Sequence, residues 1–208
     1  MFSQPLYLEL CTFFTMKFYL QPIFITLALA GLLISCSSPA LDDYSDVRFE
    51  LVNQNGETKV FPDDFQGAPV VMGFIYTHCP DICSFITANV SKVYEEMSDP
   101  GNTQFVMVTF DPNRDTPDVL KGYANAFDMD REPFQFLTGD PEVIDELMIR
   151  VGVRTQESFS RDIDENDRMY FLSHSDKILL IDSRSRLIFD YGGSMTPPHI
   201  IIEDLEKL

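Results

Sequence analysis

The apolar positions of this chain follow a few distinct patterns, and each pattern predicts an element. Val70–Tyr76 and Phe105–Phe110 are near-continuous apolar runs of strand length, as expected of strands covered on both faces. Between them Ile82, Ile86, Val90, Val93 and Met97 recur at three- and four-residue spacing, which predicts one face of a helix. Leu120, Tyr123 and Phe127 give the next helix its apolar side. Thr116-Pro117-Asp118 opens it with a cap, a proline at the first position and an acid in the first turn. Phe134–Leu137 reads as a short strand. Asp140-Pro141-Glu142 then repeats the helix-opening signature, and Gly152 fits the stop after Val151.

The flanks predict antiparallel pieces. Phe49–Val52 and Val60–Phe61 lie on either side of Asn55-Gly56, a strong hairpin turn. Ile178–Ile181 and Leu187–Phe189 predict a second hairpin across Asp182-Ser183-Arg184-Ser185. A last helix follows Pro197-Pro198 with Ile201, Leu205 and Leu208 on one face. Residues 154–168 are polar and predict a loop. Strands separated by helices imply parallel crossovers, and the closing hairpin adds antiparallel strands. The expectation is one α/β domain over residues 47–208: a mixed central sheet between helical layers, with an N-terminal β-hairpin. Sites in such sheets gather at the carboxyl ends of the strands, and Cys79 stands at the end of the first buried strand.

Residues 23–34 carry an apolar stretch of another kind, too short for a bilayer span of about 20 residues and of the right length for the core of an export signal. Lys17 supplies the positive charge before it, and Met16 directly precedes Lys17. Met16 is therefore the expected start, within a signal segment assigned to residues 1–35. Leu33-Ile34-Ser35-Cys36 resembles the bacterial lipobox, whose cysteine is acylated and becomes the mature N-terminus. Residues 36–46, with Ser37, Ser38, Pro39, Asp42 and Asp43, read as lipid anchor and tether. The chain is thus expected to be exported and lipid-anchored to a bacterial membrane, with its domain on the periplasmic or extracytoplasmic side.

The 33 acidic and 15 basic residues leave a formal net charge of -18. That balance excludes nucleic acid as a partner, since phosphate neutralisation needs clustered Lys and Arg. Of the 4 cysteines, cleavage would remove Cys11 and acylation would occupy Cys36. Cys79 and Cys83 are then the remaining thiols, in an oxidising compartment.

Pro80 suits a first helical position, which would place Cys79 at the cap and both cysteines on one helix face, four residues apart. Backbone N–H groups at a helix start favour a thiolate, the form that attacks disulfides and ligates metals. The pair can chelate a soft metal or close into a reversible disulfide. A third, imidazole ligand would let the same site hold copper(II) as well as copper(I); zinc also accepts two cysteines and a histidine. The 3 histidines are His78, His174 and His199. A residue beside Cys79 in an extended lead-in points the other way, His174 precedes the Ile178 strand, and His199 reads as a surface residue.

Gly73-Phe74-Ile75-Tyr76-Thr77-His78-Cys79-Pro80-Asp81-Ile82-Cys83 resembles one signature of the Sco/SenC family of copper-binding assembly proteins. Phe110-Asp111-Pro112-Asn113-Arg114-Asp115-Thr116-Pro117 is similar to its second signature, and His174-Ser175 before Ile178–Asp182 to its third. All three occur in family order, covering roughly residues 47–205. The resemblance implies a thioredoxin-like fold, copper held by Cys79, Cys83 and His174, and a role in maturing the CuA centre of cytochrome c oxidase. The implied partner is the CuA-bearing subunit or another copper or thiol client. Two positions depart from the pattern: Ser84 stands where proline is common, and Ser173 where many members have aspartate before the histidine. Asp81, Asp111, Arg114 and Asp115 either tune the site, dock a client, or only cap helices and tie loops. A thiol–disulfide oxidoreductase using Cys79 and Cys83 is the alternative function. A peroxidase fits less well, because Thr77 lies two residues before Cys79, not three.

Overall fold

The computed structural model describes residues 39–163 and 168–208. The signal segment, Met16 and Cys36 lie outside the described residues. Among the described residues, ten strands and four α-helices follow one another. The N-terminal hairpin is β2 (Phe49–Asn53) and β3 (Thr58–Phe61), turning through Gly56 at φ 78°. Then come β4 (Val70–Ile75), α1 (Ile82–Glu96), β5 (Gln104–Thr109), α2 (Pro117–Ala126), β6 (Phe134–Thr138) and α3 (Pro141–Arg150). β9 (Ile178–Ile181), β10 (Arg186–Tyr191) and α4 (Pro198–Leu205) close the domain.

With β1 at Asp42–Asp43, the main sheet has the order β1-β10-β9-β4-β5-β6-β2-β3. β4, β5 and β6 are parallel neighbours, while β9 and β10 on one side and β2 and β3 on the other run antiparallel. This is the expected mixed α/β sheet, of thioredoxin-like kind. Every residue of β4 and β9 is buried, which is why both read as unbroken apolar runs. Gly73 lets α1 and β5 close in: a Cβ there would come within 2.9 Å of Met107 Cε and 3.3 Å of Ile86 Cγ2. α1 packs against α4, and Thr87 on α1 meets the Tyr123 hydroxyl of α2 at 3.0 Å. Two successive right-handed crossovers moving the same way put α1 and α2 on one face.

The helix signatures behave as read. Thr116 accepts a hydrogen bond from Val119 N–H, and Asp140 from Glu142 N–H, each followed by proline. Gly152 takes φ 70° after α3.

Three expectations need correction. The domain starts before residue 47: β1 (Asp42–Asp43) pairs with β10, and Tyr44 is buried against Phe61 with ring centroids 5.8 Å apart. Arg150 clamps the Asp42 carboxylate and holds it below the usual carboxylate range, so residues that look like a polar tether are drawn into the sheet edge. Of the expected loop over residues 154–168, the described part is mostly strand. β7 (Thr155–Asp162) and β8 (Arg168–His174) pair antiparallel as a separate two-stranded sheet. β7 is exposed along its whole length; with no face to bury, it has no alternation for a sequence to reveal. Finally, α1 begins at Ile82, not Pro80. Cys79 N–H donates to Tyr76 C=O at 3.2 Å, and this tight turn keeps Cys79 out of the helix.

Candidate metal centre

Three elements deliver three side chains to one point. β4 ends at Ile75 and the chain turns through Tyr76–Cys79, which sets Cys79 at the carboxyl end of the sheet. Cys83 follows in the first turn of α1 and is 1% exposed. His174 is the last residue of β8. The Cys79 and Cys83 Sγ atoms and a ring nitrogen of His174 all lie within 4.8 Å of one another. His174 Nε2 is 3.3 Å from Cys83 Sγ. The same-face argument for the cysteines does not hold, since only Cys83 is helical. The turn brings the sulfurs together instead.

The imidazole is oriented by its neighbours. Its Nδ1 lies 2.9 Å from the Ser175 carbonyl oxygen. A carbonyl only accepts, so Nδ1 carries the proton and the Nε2 lone pair faces the sulfurs. The Phe110 ring lies against it at 4.7 Å, and Tyr76 meets it edge-on at 6.1 Å. Tyr76 also accepts a hydrogen bond from Leu172 N–H at 3.2 Å, joining the end of β4 to the strand that carries His174.

The thiols titrate as a pair. The hydrogen bond from Cys83 draws the Cys79 thiol down to about 3, against the opposing effect of burial, and His174 adds to the lowering. Cys83 moves the other way, raised by its partnership with Cys79 and by its own burial. The site thus keeps one negative charge on the half-exposed sulfur and a proton on the buried one. For His174 burial lowers the basicity, but the Cys79 contact, the Ser175 carbonyl and the nearby negative charge together raise it. No disulfide joins the cysteines.

The donor set suits a soft or borderline ion. Two sulfurs and one neutral imidazole nitrogen are the ligands of copper(I), copper(II) or zinc. Metal–ligand lengths of about 2.0–2.3 Å place trigonal ligands roughly 3.5–4 Å apart, close to the spacing found here.

The other residues singled out in the sequence separate sharply. His78 is exposed, with Nδ1 at 3.1 Å from Thr77 Oγ1, and His199 is exposed on α4; neither belongs to the cluster. Met107 and Met148 are buried in the core, as their spacing predicts. Asp81 is exposed and, although it precedes α1, makes no side-chain cap. Asp115 is fully buried and accepts hydrogen bonds from Thr77 N–H, Thr77 Oγ1 and Thr109 Oγ1. Burial raises its pKa against those bonds. Asp111 and Arg114 form an ion pair and both reach Tyr170. Ser173 is exposed and offers no carboxylate to the imidazole. Sequence reasoning gave Tyr76, Thr77, Phe110 and Tyr170 no role in building this site. The first three stand inside the quoted signatures, whereas Tyr170 lies just beyond the expected loop with nothing local to mark it. A groove of about 700 Å³ opens beside His174, lined by Met148, Ile149, Arg154, Gln156 and Ser173 among others.

The chain is similar to known proteins over this domain. Residues 39–208 match the SCO1/SenC family. An SCO2-like protein of Rickettsia prowazekii is 34% identical over 140 residues, covering 66% of this chain and 64% of its own length. The solved structure of ScoI from Bradyrhizobium japonicum, with copper bound, is 28% identical and superposes with a TM-score of 0.62, covering 77% of this chain and 97% of that one. A SCO1/SenC family lipoprotein from Bacillus anthracis is 30% identical with a TM-score of 0.65, covering 78% and 93%. By signature, fold and match over the whole described domain, the chain belongs to the SCO1/SenC family.

Proposed function

We propose that this protein is a membrane-tethered copper chaperone that holds copper(I) or copper(II) through Cys79, Cys83 and His174. Its expected task is assembly of the CuA centre of cytochrome c oxidase, the CuA-bearing subunit being its client. The observation that carries the reading is the convergence of two sulfurs and an imidazole nitrogen within 4.8 Å, with the nitrogen lone pair turned inward. The copper-bound relative from Bradyrhizobium supports copper over zinc. The pair already carries one negative charge, so a single proton leaves Cys83 when copper(I) enters as cargo. Export and anchoring through Cys36 rest on the sequence, and the bacterial lipoprotein of the same family supports them. Anaerobic titration of the reduced domain with copper(I), followed by oxidation, tests the site. The wild type should bind one copper and show a sulfur-to-copper(II) charge-transfer band. Cys83→Ser should weaken binding by about 100-fold or more, and His174→Ala should abolish the band. Undiminished copper binding in both variants would overturn the assignment.

The asymmetry of the thiols also favours a second reading, a thiol–disulfide oxidoreductase. The Cys79 thiolate would attack a client disulfide and form a mixed disulfide, releasing one client thiolate. Cys83, losing its proton to that thiolate, would attack the Cys79 sulfur and free the second client sulfur as a thiolate, which takes its proton from water. Two electrons pass to the client and the Cys79–Cys83 disulfide forms. This activity should survive His174→Ala, whereas copper(II) binding should not.

A further inference from the structure

The residues between β5 and α2 touch both halves of the site. The stretch is closed on itself: Arg114 N–H and Asp115 N–H both donate to the Asp111 carbonyl, at 3.1 and 3.0 Å. Asp111 N–H donates to Thr109 Oγ1 at 3.0 Å. From this turn two arms extend. Asp115 holds the cysteine loop, accepting from both the backbone and the hydroxyl of Thr77, two residues before Cys79. Asp111 and Arg114 hold the histidine hairpin. Tyr170 donates its hydroxyl proton to Asp111 at 2.6 Å, Arg114 Nη1 donates to the Tyr170 carbonyl at 3.0 Å, and the guanidinium carbon lies 3.6 Å from the centre of the Tyr170 ring.

The hairpin needs such a hold. β7 is wholly exposed and β8 has no fully buried residue, so burial alone does not fix where β8 lies. Its attachments near the site are the Tyr170 clamp, the Tyr76 bond to Leu172, and the Ser175–Arg154 bonds at its end. A stacked, hydrogen-bonded guanidinium specifies both distance and orientation.

We propose that the Asp111–Asp115 turn is a bracket that sets the separation between the sulfur pair and the imidazole. Asp115 positions Cys79 through Thr77; Arg114 and Asp111 position His174 through Tyr170. All three are positioning residues that act through others and ligate nothing. The proposal deepens the copper-site reading and rests on it for its functional meaning. It also makes a statement about the metal-free protein that stands without it. The two arms should fail separately. Loosening the Tyr170 arm should spare two-thiolate binding of copper(I) and weaken copper(II), which depends on the imidazole.

The test uses the reduced, metal-free protein first. Amide hydrogen exchange at Leu172 and the nuclear Overhauser effect between the His174 and Phe110 rings report where β8 lies. In Arg114→Leu and Tyr170→Ala, Leu172 exchange should rise about ten-fold and the ring contact should weaken. Copper(II) affinity should fall about 10- to 100-fold while copper(I) affinity changes far less. Tyr170→Phe, which keeps the stacked ring, should restore most of both. Asp115→Asn should leave Leu172 exchange unchanged and alter the alkylation rate of Cys79. Folded Arg114→Leu and Tyr170→Ala proteins with wild-type exchange and ring contact would overturn the bracket. If either variant fails to fold, Arg114→Lys, which loses the stacked planar fork, carries the same test with smaller shifts, and wild-type values there would overturn it too. A wild-type protein that bound no copper would instead remove the copper reading, while the exchange data would still decide the bracket.

Discussion

The sheet strand that leads to the cysteines and the hairpin that carries the histidine are held by different physics. β4 is buried at every position, paired on both sides, and covered by α1 across the gap left at Gly73. The β7–β8 hairpin pairs only with itself and shows most of its residues to solvent. Hydrophobic burial therefore fixes the strand and helix that carry the thiols, with Asp115 holding the turn before Cys79, whereas a handful of directed polar and ring contacts fixes the imidazole. Burial is non-directional and hard to lose piecemeal. Directed contacts are individually modest and can be removed one at a time. A site assembled in this way has two ligands rooted in core elements and one whose element is held by a few bonds.

The sharpest way to strain this contrast is truncation on each side. Phe105 is completely buried between Tyr94 and Phe134, with ring centroids 5.5 and 5.4 Å away. Phe105→Ala should cost about 3–5 kcal/mol of stability in urea denaturation. Next comes the helix that carries Cys83. Asn89 on α1 donates to the carbonyls of Gly193 and Thr196 at 2.7 and 2.8 Å and ties the helix to the loop before α4. Asn89→Ala leaves those carbonyls without their partner and should cost about 1–3 kcal/mol by the same measurement.

A smaller effect lies in pH. Because Cys79 ionises near 3 and Cys83 is raised, iodoacetamide should label Cys79 at a nearly constant rate from pH 8 down to about 5. Cys83 should stay roughly ten-fold or more slower throughout. The linkage has a definite sign. A thiol depressed in the folded state contributes stability that is full above its unfolded pKa and is lost as pH falls toward 3. Denaturation of wild type against Cys79→Ser should therefore show a gap that widens from pH 5 to pH 8. His174 is raised above 6.5 and works oppositely: its contribution is complete below that value and fades as pH rises through the folded pKa. The smallest effect belongs to the hairpin surface. Phe159→Ala, 47% exposed in the wild type, should change stability by no more than about 0.5 kcal/mol. A loss matching that of Phe105→Ala would break the contrast.

The same division explains what the sequence disclosed. Buried strands such as β4 and β9 announce themselves by continuous apolar composition, and α2 and α3 by a cap followed by proline. β7 stayed hidden because a strand wet on both faces has the composition of a loop. The start of α1 was misplaced because a proline at residue 80 is a local signal. The forces that turn Tyr76–Cys79 away from the helix include Asp115, 38 positions beyond Thr77. Cys79, Cys83 and His174 were legible through motif order, although 91 residues separate Cys83 from His174. Asp81 and Asp115 looked alike in sequence. Only packing distinguishes the exposed one from the one sealed beneath the loop.

The unequal depth of the two sulfurs gives any hand-over a direction. An incoming thiolate or imidazole from another protein meets Cys79 at the rim, while Cys83 sits behind it, 1% exposed. On the proposed chaperone reading, ligand replacement would proceed from the outside inward, with the inner sulfur the last to let go, and a cargo ion would keep at least one bond to the domain until the recipient had grasped it.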